Sequence, residues 1–244
     1  MWPKITKKYS LNFSLPKRKK QTIKFIILHY TGMKKETLAI ERLCDPKSKV
    51  STHYFIKKNG EILRLVPDLY QAWHAGISSW QNFKSLNKYS LGIEIQNSGH
   101  DYLFENFSKK QIKSLKRLLK ILIKTYNIDK KKVLGHSDIA PLRKKDPGEK
   151  FPWRSLFLAK LSSWHNLSKN RLKKYRFNDV FLNEKKEFLK ILNKLGYNNL
   201  NNYNSDKINR ILTKAFQRRF RQELINGKID KECLIIAKNL LKQK

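Results

Sequence analysis

The sequence has little cysteine and no long apolar run. Cys44 and Cys233 lie far apart and form no CxxC pair, which argues against a cysteine metal site or a disulfide framework and indicates ordinary thiols. No stretch approaches the roughly 20 apolar residues needed to cross a bilayer, so no transmembrane segment is predicted. The N-terminus, MWPKITKKYSLNFSLPKRKK, lacks the apolar core and small-residue cleavage site of a secretory signal, which predicts a cytoplasmic protein.

Acidic residues are also few. The 244 residues include 19 Asp and Glu against 54 Lys and Arg, a net charge of +35. Such a charge favours polyanionic partners, whether nucleic acid, anionic lipid or an acidic cell-wall polymer. The lysines are spread along the chain, however, so the composition of an A/T-rich genome explains them equally well. Only nine residues are glycine and 40% are apolar, which indicates a globular chain with one substantial core and a small second module.

The first two thirds of the chain mix strand and helix patterns. After a basic, irregular arm over 1–21, the apolar run 23–30 predicts a strand buried on both faces. Asn59-Gly60 separates two strand-like segments and predicts a hairpin with a type I′ turn. Another strand is predicted over 91–97, and Ser108 begins a helix through a capping box with Gln111. These elements predict an α/β domain over 22–160, with a mixed central sheet flanked by helices.

The C-terminal third of the chain has a different residue pattern. Residues 161–182 are polar and basic, which indicates a linker. Residues 183–244 have helical spacing and predict a small three-helix domain, whose first helix should end at Gly196. The middle helix has one apolar stripe and carries its basic residues elsewhere. Those basic residues are Lys214, Arg218, Arg219 and Arg221.

Three separated residues suggest a metal site. His29 ends the predicted buried strand, His136 follows Gly135 at a strand-to-loop junction, and Asp146 lies in a loop shaped by Pro and Gly. Two imidazoles and one carboxylate form a catalytic zinc set, because three protein ligands leave the fourth tetrahedral position open for water. The sequence has no HExxH motif. Each residue also has an ordinary structural explanation, so the spacing leaves zinc as one interpretation.

Six segments carry a family resemblance. In chain order, IILHYTG, STHYFI, AWHAG, LGIEIQN, GHSDIAPLRKKDPG and FPW resemble the landmarks of the N-acetylmuramoyl-L-alanine amidase type 2 family, which includes the AmpD and AmiD enzymes. The resemblance covers roughly 22–156. The C-terminal helices resemble the peptidoglycan-binding domain of AmiD-type members through LGY, AFQRRFR and NGKID.

The resemblance implies one Zn²⁺ per chain on His29, His136 and Asp146, and hydrolysis of the amide between N-acetylmuramic acid, or its anhydro form, and L-alanine. It implies that Glu94 is the general acid and base and that Lys144 stabilises the oxyanion. Strand alternation agrees with the role of Glu94, because Glu94 points away from Leu91, Ile93 and Ile95.

Three further residues are substrate-binding candidates. His74 in AWHAG resembles a position that lines the substrate cleft of the family. Trp73 offers a ring that could stack on a sugar, although aromatic residues in a long loop are more often local core. Arg143 could bind a stem-peptide carboxylate through two hydrogen bonds, or lie in solvent.

Two alternatives belong to other functional classes. A non-catalytic peptidoglycan-binding protein would share the scaffold but should lack a ligand or a catalytic helper, and all five residues are present. A nucleic-acid-binding protein is suggested by the net charge and by Arg218, Arg219 and Arg221, but the sequence has no nucleic-acid-binding motif. The prediction is therefore a monomeric enzyme that acts on peptidoglycan or muropeptides without binding nucleic acid. The cell envelope is the alternative to the cytoplasm, because the two-domain layout is AmiD-like.

Overall fold

The computed structural model describes residues 5–197 and 205–243. A six-stranded mixed sheet forms its centre, with spatial order β1-β5-β4-β9-β3-β10. All neighbouring strands are parallel except the antiparallel pair β4 and β5. In the order of the sheet, the strands are β1 (Ile5–Lys7), β5 (Ile62–Arg64), β4 (Tyr54–Ile56), β9 (Ser90–Ile95), β3 (Phe25–Tyr30) and β10 (Val133–Gly135). Two small ribbons pair β2 (Phe13–Ser14) with β6 (Gln71–Ala72), and β7 (Ser79–Trp80) with β8 (Phe83–Lys84).

Helices cover both faces of the sheet, which confirms the predicted α/β class. The helices are α1 (Glu36–Cys44), α2 (Lys109–Tyr126), α3 (His136–Ile139), α4 (Trp153–Leu158), α5 (Lys169–Tyr175), α6 (Leu182–Leu195), α7 (Asp206–Phe220) and α8 (Lys231–Lys242). None of the helices in the described ranges is long and apolar enough to cross a membrane. The predicted capping box is present, since Ser108 and Gln111 exchange side-chain and backbone hydrogen bonds at the start of α2.

The predicted hairpin forms, but its turn type differs. Gly60 N–H donates to Lys57 O, and Gly60 has a φ of 87° while Asn59 does not have a positive φ. A type I′ turn would need a positive φ at both residues. The loop instead has three residues, and it needs glycine only at its last position.

The N-terminal segment is more ordered than its composition suggested. The irregular arm predicted over 1–21 contributes edge strand β1 and ribbon strand β2. Its Arg18 is half-buried and donates to the backbone oxygens of Ser90, Asp68 and Tyr70 at 2.6–3.0 Å. A basic side chain therefore holds several loops together, a role that charge counting does not reveal.

The C-terminal helices share the core of the sheet domain. One hydrophobic cluster runs continuously from Ile23 in the N-terminal part to Leu240 in α8. The predicted linker 161–182 contains helix α5 and contributes buried Leu161 and Trp164 to this cluster. Helix α6 ends at Gly196 as predicted. The domain boundaries remain a prediction, but the two parts are packed together.

A buried ion pair joins the C-terminal helices to the sheet. Arg219 on α7 donates to the carboxylate of Asp138, and its guanidinium stacks over Trp153 with 4.3 Å between charge centre and ring centroid. Asp138 also accepts from the Tyr197 hydroxyl at 2.8 Å and from Gly135 N–H at 2.8 Å. Arg221 is likewise buried and pairs with Asp230 and Glu232. Arg219 and Arg221, which in the sequence suggested a nucleic-acid-binding helix, therefore neutralise buried carboxylates.

We expect Arg219→Met to lower the free energy of unfolding by about 3–5 kcal/mol, because it leaves the Asp138 carboxylate buried without its charge partner. Urea unfolding followed by circular dichroism measures this change. The matched control is Lys238→Met, which breaks an exposed pair with Glu187 and should change stability by less than about 1 kcal/mol. Equal, small effects for both variants would contradict a structural role for the buried pair.

Candidate metal centre

The three predicted ligands meet at one edge of the sheet. His29 is near the end of β3, and His136 directly follows β10, which lies beside β3 in parallel register. Asp146 approaches from the following loop, where its backbone oxygen accepts from Ser137 N–H at 2.8 Å. All three side chains are buried. Within the described ranges, they are the one group of three or more His, Cys, Asp or Glu residues close enough to share a metal ion.

The distances between the ligand atoms fit a metal ion. His29 Nδ1 lies 3.0 Å from His136 Nδ1 and 3.0 Å from Asp146 Oδ2, while His136 Nδ1 lies 3.1 Å from the same oxygen. Tetrahedral bonds of about 2.0–2.1 Å place neighbouring ligand atoms roughly 3.3 Å apart. The observed triangle is slightly tighter and needs only small shifts to accept such an ion.

The protonation pattern also favours a cation. His29 Nε2 lies 3.1 Å from His74 Nδ1, and His136 Nε2 lies 3.1 Å from Ala75 O. If each ligand imidazole places its proton on Nε2, the two Nδ1 lone pairs point at each other and at the carboxylate. Three electron-rich atoms in this arrangement repel one another unless a shared positive charge lies between them.

The ionisation states agree with ligand roles. Burial, reinforced by the neighbouring His136, lowers the pKa of His29 to about 4, so its imidazole is neutral near pH 7. Burial alone would raise the pKa of Asp146, but the adjacent His136 and His29 lower it well below its usual value. The site therefore offers a neutral imidazole at His29 and an ionised carboxylate at Asp146, the forms in which these groups bind a divalent metal.

Glu94 lies next to the ligands. It is directly opposite His29 in the parallel register of β9 and β3, on the same face of the sheet. Its Oε2 is buried and has no hydrogen-bond partner. Burial, followed by the negative charge of Asp146, raises the pKa of Glu94 well above its usual value, while the charge of Lys144 opposes this shift. A carboxylate with raised pKa near a metal is suited to proton transfer.

The ligands open into a cleft of about 560 Å³ that also contains Glu94 and Lys144. Lys144 is half-buried, whereas neighbouring Lys145 is exposed. The backbone N–H of Lys144 donates to Ala140 O at 3.0 Å, which fixes the lysine two residues before the ligand Asp146. Both lysines line the cleft, but Lys144 is the one whose charge acts on both Glu94 and His29.

The three substrate-binding candidates also line this cleft. Trp73 is half-buried at its edge, and its Nε1–H donates to Ser14 Oγ at 2.8 Å. Arg143 donates through one nitrogen to Ala75 O and Ile77 O. His74 is 9% exposed and lies behind His29, with its second ring nitrogen 3.2 Å from Ser90 Oγ. This position favours a role behind the ligand over contact with substrate.

Sequence reasoning missed a second group at the rim of the cleft. Tyr30 Oη lies 2.8 Å from His100 Nδ1, and His100 Nε2 lies 3.0 Å from Glu149. His100 belongs to the cleft lining, although no sequence motif singled it out. Its partners are 49 and 70 residues away, so only the folded chain brings them together.

Comparison with known proteins gives a consistent result. The family model described as N-acetylmuramoyl-L-alanine amidase matches residues 19–149. N-acetylmuramoyl-L-alanine amidase AmiD of Escherichia coli K12 is 34% identical over 233 residues, which cover 91% of this chain and 83% of AmiD. 1,6-anhydro-N-acetylmuramyl-L-alanine amidase AmpD of Haemophilus influenzae is 32% identical over 54% of this chain and 80% of AmpD.

Solved structures extend this likeness to the whole described fold. Escherichia coli AmiD in complex with anhydro-N-acetylmuramic acid-L-Ala-D-gamma-Glu-L-Lys superposes with a TM-score of 0.81 at 34% identity, covering 91% of this chain and 90% of AmiD. AmpDh3 of Pseudomonas aeruginosa in complex with anhydromuramic pentapeptide gives 0.80 at 30% identity and covers 94% of each chain. The likeness therefore includes the C-terminal helices as well as the sheet.

We expect Asp146→Asn to weaken zinc binding more than about 100-fold, because loss of a ligand should exceed the 10–100-fold typical of losing a hydrogen-bond partner behind one. Competition with a chromogenic chelator measures the dissociation constant. Asp101→Asn is the control, because Asp101 lines the same cleft but lies outside the ligand triad. Unchanged affinity in Asp146→Asn would remove Asp146 from the site.

Proposed function

The chain belongs to the N-acetylmuramoyl-L-alanine amidase family, and we propose that it hydrolyses the amide between the muramic acid lactyl group and L-alanine with a zinc ion held by His29, His136 and Asp146. The convergence of two Nδ1 atoms and one carboxylate oxygen within 3.1 Å carries this proposal. When bound there, zinc would supply Lewis acidity, which polarises a carbonyl group and acidifies an attacking water.

Glu94 moves the proton in this proposal. Its carboxylate takes a proton from the attacking water as the new carbon–oxygen bond forms. It then gives that proton to the amide nitrogen as the carbon–nitrogen bond breaks, so that the amine of L-alanine leaves neutral. The unpartnered Oε2 supports this role, because it has no competing hydrogen bond within the protein.

Lys144 stabilises the negative charge that develops on the substrate carbonyl oxygen. A positive charge placed before the reaction begins costs no reorganisation at the transition state. The cleft position of Lys144 and its electrostatic effect on both Glu94 and His29 support this assignment.

The substrate class follows from the relatives. The AmiD and AmpDh3 structures contain anhydro-muramyl peptides. By analogy, this chain accepts anhydro-muropeptides, and a cleft of about 560 Å³ is within the size range of pockets that enclose small ligands. Trp73 remains a candidate for sugar contact and Arg143 for the stem peptide. The cytoplasmic location remains a prediction, which fractionation of cells would test.

The C-terminal helices remain a candidate peptidoglycan-binding element. A groove of about 900 Å³ runs along α6 and α7 and is lined by exposed Lys185, Lys190 and Arg210. Positive charge there would suit the carboxylates of stem peptides. The burial of Arg219 and Arg221 in ion pairs weighs against the nucleic-acid alternative, because these two side chains are not available to bind phosphates.

We expect Glu94→Gln to reduce turnover by about 10²–10⁴-fold, because the amide cannot accept the proton from water. Zinc content should be unchanged, since Glu94 is outside the ligand triad. The assay follows release of L-alanine-bearing peptide from defined anhydro and non-anhydro muropeptides by chromatography. Wild-type turnover in this variant would refute the proposed mechanism.

We expect Lys144→Met to reduce turnover by about 10²–10³-fold, because a preorganised charge at the carbonyl oxygen is lost. Lys145→Met is the matched control, since it removes the adjacent charge from the same loop. Single-turnover rates at saturating substrate measure both effects. A larger loss in Lys145→Met would transfer the role to Lys145.

A further inference from the structure

We propose that the two-residue segment His74–Ala75 sets the tautomer and orientation of both imidazole ligands, and that Asn87 is the positioning residue that holds this segment. The inference rests on the metal centre of the proposed function. Asn87 is neither a proposed metal ligand nor a proposed catalytic residue, and the inference gives it a positioning role. It also explains why both imidazoles present Nδ1 to the site.

The direction of the hydrogen bond between His29 and His74 follows from a series of contacts that begins at Ser90. Ser90 Oγ lies 2.6 Å from Leu86 O. Because a carbonyl oxygen can only accept, the hydroxyl of Ser90 donates its one proton to Leu86 O. Ser90 Oγ must then accept from His74 Nε2–H at 3.2 Å. With Nε2 as its donor, the His74 ring presents Nδ1 as an acceptor, and Nδ1 takes the proton of His29 Nε2 at 3.1 Å. The lone pair of His29 is left on Nδ1.

The next residue does the same for His136. Ala75 O lies 3.1 Å from His136 Nε2 and can only accept. His136 therefore donates from Nε2–H, and its Nδ1 is the nitrogen that faces His29 and Asp146. The guanidinium of Arg143 donates to the same carbonyl oxygen at 3.0 Å, which holds that oxygen in place from the cleft side. One short segment thus orients two ligands that are 107 residues apart.

Asn87 holds the segment through a single atom. Its Oδ1 accepts from His74 N–H at 3.1 Å and from Ala75 N–H at 2.7 Å. Its own backbone oxygen accepts from half-buried Arg18 at 2.9 Å. The side chain of Asn87 accepts these two bonds from the backbone of the segment, so its effect on the metal passes through His74 and Ala75.

The space for this arrangement is provided by Gly92 on β9. A Cβ atom at Gly92 would lie 2.5 Å from the His74 ring, far inside van der Waals contact. The His74 ring therefore packs directly on the strand that carries Glu94. Partners behind metal ligands typically contribute 10–100-fold to metal affinity, and here one segment serves two ligands.

The test measures zinc affinity in Asn87→Leu, Asn87→Asp and the control Asn82→Leu, which changes an exposed residue of the preceding loop. We expect Asn87→Leu to weaken zinc binding about 10–100-fold. Asn87→Asp keeps an acceptor oxygen and should stay within roughly threefold of wild type, well below that effect. The visible spectrum of the cobalt-substituted protein should change in Asn87→Leu alone, because the ligand geometry changes.

The outcomes separate this inference from the proposed function. If wild type binds zinc and Asp146→Asn loses it, while Asn87→Leu retains full affinity and an unchanged cobalt spectrum, the inference is overturned and the metal site stands. If wild type binds no zinc, the proposed function itself fails. Should Asn87→Leu not fold, Ser90→Ala replaces it, since this variant removes the acceptor that sets the His74 tautomer. Unchanged zinc affinity in folded Ser90→Ala would then overturn the inference.

Discussion

The site depends on an electrostatic constraint. Two imidazole lone pairs and a carboxylate oxygen lie within 3.1 Å of one another in a buried position. Such atoms repel when bare and are stabilised around a shared cation. The rest of the site holds them in place. His29 lies on β3, His136 begins α3 directly after the parallel neighbour β10, and Asp146 lies in the loop after α3. Backbone and side-chain acceptors keep both imidazole protons away from the centre.

Acidic residues are scarce in this chain, and several of them occupy buried positions with structural roles. Several of the 19 are buried and paired in the described structure, among them Asp138, Asp146, Asp230 and Glu232. Asp138 and Asp146 lie at the two ends of the same segment. Asp138 anchors it to the C-terminal helices, and Asp146 is the third proposed metal ligand. The segment that carries His136 is therefore held between the proposed metal centre and an ion pair with α7. The large positive charge remains mostly on the surface.

Because the hydrophobic core is continuous, the C-terminal helices also support the segment that carries His136. Arg219 on α7 and Tyr197 just beyond α6 both bond to Asp138, two residues after the proposed ligand His136. These helices can both bind peptidoglycan and support the segment that carries His136, because the two roles use different surfaces. The groove lined by Lys185, Lys190 and Arg210 lies on α6 and α7, whereas the contact with Asp138 is buried.

The sequence by itself determined the α/β class, the capping box, the end of α6 at Gly196 and the three candidate ligands. These are local patterns, or motifs whose spacing is visible along the chain. Tertiary structure decided that Arg219 and Arg221 are buried, that the N-terminal segment adds strands, and that His74, Ala75 and Asn87 stand behind the ligands. Such features depend on hydrogen bonds and ion pairs between distant residues, often through backbone atoms that every residue possesses. The identity of a residue in the sequence therefore does not predict those contacts.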